Sequence, residues 1–305
     1  MTIAVLARKA REVGHPGRER RGHLRARRRA GLAARDALAV FYVLLALVPV
    51  AFMVLMAVQS PVSIESGHLW PRQWDWSSFS TMWSSVGLAT GLKSSLIVST
   101  ATGILAAPFA LAAGYVIARH RFRGRQALRV SLLAAYVFPS VLLLLPLYVV
   151  FVVLQQILHV TIIGTYVSVI ITYMTLALPF SIWMMSIYVQ RLPVEIEEAA
   201  AIDGAPFFRT MRKVVLPLAR PGLVVVFVFS FLHSWNDVLF ASVLTNPGTH
   251  TLGVELQGFL ADSLAIPEWN QLMAASIVSS VPALLLFLVV QRWVVAGLST
   301  GATKG

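Results

Sequence analysis

Two ionisable residues, His233 and Asp237, lie within a long apolar stretch of the sequence. A spacing of four residues places both side chains on one face of a helix. Burying ionisable groups in a membrane span is costly, so the pair is a functional candidate, and a proton relay is one chemistry it would serve. A structural or pathway-lining role is the other. Further residues predicted to line a pathway with Asp237 are Tyr136, Ser140, Tyr173, Trp235 and Asn236.

The sequence patterns of common enzymes are absent. There is no GxxxxGKS/T phosphate loop, no HExxH, no GxSxG and no Cys, and residues 301–305 (GATKG) lack the length of a phosphate loop. Without Cys, disulfides, thiolate zinc sites, iron–sulfur clusters and cysteine nucleophiles are excluded. We therefore predict that the chain is not an enzyme, with no catalytic residue, no metal site and no cofactor of its own.

A structured polar segment spans residues 191–222. Residues 194–202 have helix-forming composition, with Glu in the first turn where the helix dipole favours acids. Asp203 and Gly204 end this helix, because Gly accepts the left-handed conformation common at helix ends. A second, amphipathic helix follows Pro206 and is predicted to end at Leu216–Pro217. An interfacial helix lying on lipid is the alternative interpretation of this second helix.

Long uncharged runs surround these residues. The 305-residue chain is 57% hydrophobic and 12% charged, against about 25% charged in a typical soluble domain. About 20 apolar residues make one membrane crossing. The sequence therefore predicts an all-α, polytopic membrane protein with six transmembrane helices. The predicted spans are 37–58, 94–118, two within 130–190 around a loop marked by Gln155, Gln156 and His159, one from after Pro221 to about 244, and 272–291.

The basic residues predict the orientation. Of 25 Lys and Arg, 23 lie in the amino-terminal arm, in the two loops after spans two and four, or at the carboxyl end, and only Arg72 and Lys93 lie elsewhere. Basic loops face the cytoplasm, so both termini are predicted to be cytoplasmic and the 191–222 segment lies between helices 4 and 5. The same distribution points to membrane lipid as the partner of the net charge of +12, and not to nucleic acid.

Three regions follow from this assignment: a basic cytoplasmic arm at 1–36, a transmembrane domain at 37–297, and a cytoplasmic tail at 298–305. The arm is expected to be a solvated tail facing lipid, with contact to a cytoplasmic partner as the alternative. The apolar run after it is longer than a signal-peptide core, so it is expected to remain as a helix. Four Trp at 70–83 are expected to anchor helix ends at the headgroups, or to form a docking surface for an outer partner.

The residue order of the 191–222 segment carries a resemblance. Glu198-Ala199-Ala200, then Gly204, then Val214-x-Leu216-Pro217 resembles the EAA loop of binding-protein-dependent importers of the ATP-binding-cassette (ABC) class. Trp235-Asn236-Asp237, Pro282 and the carboxyl-terminal sequence resemble the carbohydrate branch, specifically the smaller membrane subunit of the maltose importer type. Departures are the longer arm, Lys93 in place of Asn, and Thr303 in place of Val. The resemblance covers about 270 residues, from the first span to the last residue.

The resemblance implies a multi-pass permease subunit in the bacterial cytoplasmic membrane. Its partners would be a homologous permease subunit in a heterodimer, two ATPase subunits that bind ATP and Mg, and an extracytoplasmic substrate-binding protein. The cargo would be an oligosaccharide, disaccharide or polyol, with glycerol phosphate or another small solute as the alternative. The residues implied in coupling to the ATPase are Glu198, Ala199, Ala200, Asp203, Gly204, Ala205, Phe207, Phe208, Arg209, Met211, Leu216 and Pro217.

Two other classes of protein are weighed against this one. An ion-coupled secondary transporter would need intramembrane charges or broken helices in matching halves, whereas the sequence offers one carboxylate and no internal repeat. A structural membrane protein would leave the 191–222 segment without a purpose.

Overall fold

The computed structural model describes residues 16–262 and 268–299, and the secondary structure of that part of the chain is helical. Thirteen α-helices are found there. They are α1 (Pro16–Ala57), α2 (Pro61–Glu65), α3 (Ser78–Ser85), α4 (Leu88–Arg119), α5 (Arg125–Val137), α6 (Leu144–Leu158), α7 (Tyr166–Gln190), α8 (Val194–Ile202), α9 (Phe207–Thr210), α10 (Leu216–Trp235), α11 (Leu239–Leu244), α12 (Leu252–Asp262) and α13 (Trp269–Ser299). The all-α prediction is confirmed.

Within residues 16–262 and 268–299, six stretches are long and apolar enough to cross a membrane, as the sequence predicted. They are Arg35–Ala57, Leu88–Arg119, Ser140–Leu158, Tyr166–Gln190, Phe207–Trp235 and Trp269–Gln291. Residues 1–15 of the predicted arm and 300–305 of the predicted tail lie outside the described residues, and 16–36 belong to α1. Residues 16–55 of α1 form one unit, and the chain from Met56 onward forms a second, the packed helical body.

In the helical body, α4 packs most extensively against α7 and α10, and α13 packs on α10 and α3. Small residues allow these close contacts. A Cβ added to Gly114 would lie 2.9 Å from the backbone N of Ser186 in α7, and one added to Gly103 would lie 2.6 Å from the ring of Phe227 in α10. Helices in membranes approach closely where such residues face a neighbour.

Gly87 and Gly91 form a second close contact, between α4 and α12. Gly87 has a φ of +68°, and a Cβ there would lie 2.8 Å from a carboxylate oxygen of Glu255. A Cβ on Gly91 would lie 2.9 Å from the Cα of Leu252. The GxxxG pattern thus lets α12 rest directly on the first turns of α4.

The third span differs from the predicted run. The helix α5 ends at Val137, Phe138 is extended before Pro139, and a 3-10 turn (Ser140–Leu143) leads into α6. Proline disfavours helical geometry in the residue before it, which explains the break. At the other end, the Gln155 side chain accepts a hydrogen bond from the backbone N–H of Ile162 at 2.7 Å and so fixes the loop after α6.

The predicted limits of the second loop helix and of the fifth span were wrong. The helix of Phe207 does not stop at Leu216–Pro217 but continues to Trp235 through a π-helical turn, Met211–Val215. In this turn the N–H of Leu216 donates to the carbonyl of Met211, five residues back. Pro217 follows this turn directly, and the helix continues past it. Residues 239–244 form the separate helix α11, so the span ends nine residues earlier than predicted.

Candidate coupling segment and pathway face

The segment from α8 to the π-turn, residues 194–215, is a helix, a tight turn and a second helix. The predicted helix α8 is confirmed, and Gly204 has the left-handed φ of +74° expected at its end. The N–H of Gly204 donates to the carbonyl of Ala201, and that of Ala205 to the carbonyl of Ala200, each at 3.0 Å. These bonds satisfy carbonyls that the helix end leaves free.

Several residues around this turn are exposed. Glu198, Ala199, Asp203 and Gly204 are exposed, whereas Ala200 and Ala205 are half-buried. Two apolar side chains stand out from the tip, Ile202 at 86% and Phe208 at 84% exposure. Ile202 had not been singled out, because a residue just before Asp203-Gly204 reads as an ordinary helix end. Together they place apolar surface on both sides of the turn.

Phe207 contacts α4, although the residue is 55% exposed. Its ring lies 6.0 Å from that of Tyr115 in α4, edge to face, and 5.7 Å from that of Phe208. With Met211 and Leu216, these Phe residues line an apolar cavity of about 560 Å³ against the carboxyl half of α4. Phe208 therefore presents the larger apolar surface to the outside, while Phe207 joins the segment to the span. Arg209, Arg212 and Lys213 are exposed, and Pro217 is half-buried.

A partly buried ion pair connects α8 to the end of α4. Arg119 donates to Oε1 of Glu197 from Nε at 2.9 Å and from Nη2 at 2.6 Å, and the two side chains are only 13% and 11% exposed. The Tyr115 hydroxyl donates to Oε2 of Glu197 at 2.7 Å. Nη2 of Arg119 also donates to the carbonyl of Leu192, before α8, at 2.9 Å. Glu197 was predicted only as a dipole-favoured acid. The sequence offers one signal for the partner of Glu197: Arg119 is the first charged residue after an uncharged run of 25 residues.

The residues predicted for the pathway divide into two groups. Tyr173 and Trp235 are buried: the Tyr173 hydroxyl donates to Oδ1 of Asp237 at 2.8 Å, and the Trp235 ring stacks on that of Phe231 at 5.4 Å. Tyr136, Ser140 and Asn236 are exposed. This second group has surface to offer a solute, and so does the half-buried Asp237.

A row of rings, here called the aromatic ladder, joins α5, α7 and α10. Its members are Tyr136, which is exposed, and Phe180, Trp183, Phe229 and His233, which are half-buried. The Phe180 ring in α7 lies 4.7 Å from both Tyr136 in α5 and Phe229 in α10, and 5.7 Å from Trp183. The His233 ring stacks on Phe229 with centroids 6.1 Å apart. Phe229 and His233 also line a cavity of about 390 Å³ with Leu232, Asn236 and Asp237. Sequence reasoning found Tyr136 and missed the phenylalanines, which in a membrane span are indistinguishable from lipid-facing residues.

Asp237 has partners other than His233. Its Oδ1 accepts the Tyr173 hydroxyl and the backbone N–H of Phe240 at 3.0 Å, in the first turn of α11. This arrangement is that of a helix-capping carboxylate bridging two helices. It favours the structural alternative over the proton relay. Among residues 16–262 and 268–299, no group of three or more His, Asp or Glu could hold a metal ion.

Comparison with known proteins identifies relatives across most of the chain. The family described as "Binding-protein-dependent transport system inner membrane component" matches residues 106–300. The trehalose transport system permease protein SugB of Mycobacterium tuberculosis is 31% identical over 92% of this chain and 99% of that protein. The maltose/maltodextrin transport system permease protein MalG of Yersinia pestis is 35% identical over 73% of this chain and 70% of its own length.

Solved structures give the same fold. A bacterial ABC transporter involved in the import of the acidic polysaccharide alginate has a chain that matches 88% of this one with a TM-score of 0.71 at 21% identity, covering 97% of that chain. A second structure of a bacterial alginate ABC transporter, in complex with an alginate pentasaccharide-bound periplasmic protein, matches 87% of this chain and 94% of its own with a TM-score of 0.64 at 16% identity.

Proposed function

Since the chain belongs to the family of binding-protein-dependent transport system inner membrane components, we propose that it is the permease subunit of a sugar importer, with residues 194–215 as the coupling segment. Membership makes it an ABC transporter permease, a multi-pass protein of the bacterial inner membrane. The cargo proposed is an oligosaccharide, disaccharide or polyol. The names of the relatives support a sugar: one is a trehalose and another a maltose/maltodextrin permease.

The observation that carries the coupling role is the exposed tip of the segment. Glu198, Gly204 and Phe208 lie on the surface around one rigid turn, which is bonded to itself through Gly204 and Ala205. A ring 84% exposed, such as that of Phe208, gains stability when it enters a cleft on another protein. We assign that cleft to a cytoplasmic ATPase, two copies of which bind ATP and Mg and supply the energy. Both termini of the permease then lie in the cytoplasm.

The remaining partners follow from the same assignment. A second, homologous permease subunit completes the pathway as a heterodimer, and a binding protein delivers the sugar from outside. Support for the binding protein comes from the alginate importer, whose structure includes a periplasmic protein carrying an alginate pentasaccharide.

The aromatic ladder is the part of this subunit proposed to line the pathway. Apolar rings with a few convergent polar groups are typical of small-molecule sites. Tyr136, Phe180 and Phe229 supply the rings, and His233 and Asn236 supply polar groups at one end. Tyr173 and Trp235 leave the pathway proposal because they are buried, and Asp237 contributes by holding α11.

The test is ATP-dependent uptake by the complex purified through a tag on this chain and reconstituted in liposomes. Labelled disaccharides, oligosaccharides, polyols and glycerol phosphate form the panel. Glu198→Lys and Gly204→Asp should abolish uptake while membrane insertion stays normal. A Cβ at Gly204 meets open space, but the left-handed φ of +74° strains most side chains there. Gly204→Asn, which tolerates that region, is therefore tested beside Gly204→Asp, and circular dichroism of both variants checks that the turn is intact.

Glu65→Lys is the matched control, since it makes the same charge change at an exposed residue far from the coupling segment. Its uptake should equal that of wild type. Normal uptake by both coupling variants would overturn the coupling assignment. A chain that purifies without an ATPase and transports without ATP would overturn the importer assignment itself.

A further inference from the structure

We propose that Arg119, Glu197 and Tyr115 form a positioning cluster that fastens the coupling segment to α4, so that movement of α8 is passed to the spans. The inference rests on the proposed function, for which it supplies the mechanical attachment. None of the three residues needs to touch the ATPase or the sugar. They are positioning residues that act through the geometry of α8.

The attachment of α8 is polar. No residue of α8 is buried, so this nine-residue helix has little apolar packing to hold it. Glu197 compensates for this, since both of its carboxylate oxygens are engaged by α4, one by Arg119 and the other by Tyr115. Hydrogen bonds to ionised groups are shorter and stronger than neutral ones, and a forked guanidinium contact also fixes orientation.

Two further contacts extend the cluster to both ends of α8. Nη2 of Arg119 holds the carbonyl of Leu192, in the turn that enters α8. The ring of Tyr115 packs against Phe207, which follows the turn that leaves α8. Tyr115 and Arg119 are four residues apart on one face of α4. A single helical turn of α4 therefore holds the entry, the body and the exit of α8.

The base of the cluster is rigid. Tyr115 belongs to a buried group with Ala110, Met185 and Val215, drawn from α4, α7 and the π-turn. Gly114, next to Tyr115, lets α4 approach the Ser186 backbone of α7 closely. Packed interiors move as units and do not deform gradually. A push on α8 held by this cluster displaces α4 and α7 together, whereas an unfastened α8 would move alone.

The test compares Glu197→Gln and Tyr115→Phe with Glu195→Gln, an exposed acid of the same helix, in the complete reconstituted complex. Glu197→Gln removes the charge that Arg119 needs and preserves the shape. We expect normal assembly with the ATPase, retained ATP hydrolysis, and uptake per ATP hydrolysed lowered by about tenfold, within the usual range of coupling between sites. Tyr115→Phe should give a smaller loss, and Glu195→Gln none.

A distance measurement provides a readout that does not depend on the cargo. The sequence has no Cys, so spin labels placed at Arg121→Cys and Ala201→Cys, both exposed positions, report the separation of the α4 end and α8. The distance distribution should be narrow in wild type and Glu195→Gln, and broad in Glu197→Gln. The exchanged pair Arg119→Glu with Glu197→Arg should recover part of the narrow distribution and of the uptake.

Three outcomes distinguish the positioning cluster from its alternatives. Unchanged distances and unchanged uptake per ATP in Glu197→Gln would overturn the cluster. Poor assembly with normal uptake per assembled complex would show a merely structural role and would also overturn it. Failure of the proposed function has a different signature: wild-type complex without ATP-dependent uptake, and Glu198→Lys indistinguishable from it.

Discussion

Replacing Asp237 distinguishes a proton relay from a structural carboxylate. In the structure its Oδ1 accepts the hydroxyl of the buried Tyr173 at 2.8 Å and the N–H of Phe240 at 3.0 Å. In Asp237→Ala both donors lose their acceptor. The hydroxyl of Tyr173, a fully buried residue, then has no acceptor from Asp237, at a cost of about 1–3 kcal/mol. Loss of the helix cap costs about 0.5–2 kcal/mol more.

We therefore expect Asp237→Ala to lower the free energy of unfolding by about 3 kcal/mol. Two milder variants separate the contribution of the Asp237 acceptor oxygen from that of the Tyr173 hydroxyl. Asp237→Asn keeps an acceptor oxygen, and Tyr173→Phe removes the donor while filling the same space, so each should cost about 1 kcal/mol. The assay is unfolding of the detergent-solubilised chain by titration with a denaturing detergent, followed by near-ultraviolet circular dichroism.

The transport assay distinguishes a structural carboxylate from a proton relay more directly than the stability measurement does. A structural carboxylate predicts that Asp237→Asn, once folded, imports at close to the wild-type rate with an unchanged pH profile. A relay needs an ionisable group and predicts loss of transport at every pH, with little change in stability. Asp237→Ala as stable as wild type, together with an inactive Asp237→Asn, would refute the reasoning.

Three further predictions concern the glycine contacts and Glu255. Gly91→Ala should destabilise the chain by about 1–3 kcal/mol through overpacking, because its Cβ would lie 2.9 Å from the Cα of Leu252. Gly258→Ala, whose Cβ would meet open space, should leave the stability unchanged. Thermal unfolding of both variants checks this. Burial raises the pKa of the Glu255 carboxyl above its ordinary value, against the opposing charge of His250. The stability that a raised pKa contributes is present below the ordinary carboxyl pKa and lost as pH rises through the folded-state pKa. Glu255→Gln should therefore be more stable than wild type at neutral pH, and the difference should vanish in acid. A difference in stability that does not depend on pH would contradict this prediction. Gly204→Asn should preserve α8, since Asn tolerates the left-handed region, and Gly204→Val should destabilise it; circular dichroism of the two variants under heating compares them.

The spans were predictable because each depends on local composition. A run of about 20 apolar residues has one stable place in a bilayer, whatever its neighbours are. The α8 helix and its Gly204 turn were predictable for a similar reason, since dipole, glycine and proline preferences act within a few residues. These features needed no knowledge of tertiary contacts.

The errors came from contacts between distant residues. Local rules predict that a helix ends at Pro217, but the helix continues past it after the π-turn at Met211–Val215. Trp235 and Tyr173 have the character of pathway residues, but helix packing turned them inward. Glu197 and Glu198 are adjacent acids with nothing local to separate them. Only the position of Arg119, 78 residues away, assigns one to the interior and the other to the surface.

The π-turn also bears on how this helix tolerates changes in length. Deleting one residue from an α-helix rotates everything on one side of the deletion by about 100° relative to the other. The continuous helix from Phe207 to Trp235 carries the coupling segment at one end and the ladder residues Phe229 and His233 at the other. A π-turn holds one extra residue. Loss of one residue within Met211–Val215 would convert the π-turn into an ordinary α-helical turn and leave the two ends of the helix in the same rotational orientation. The length of the helix can therefore vary at this turn without changing what either end faces.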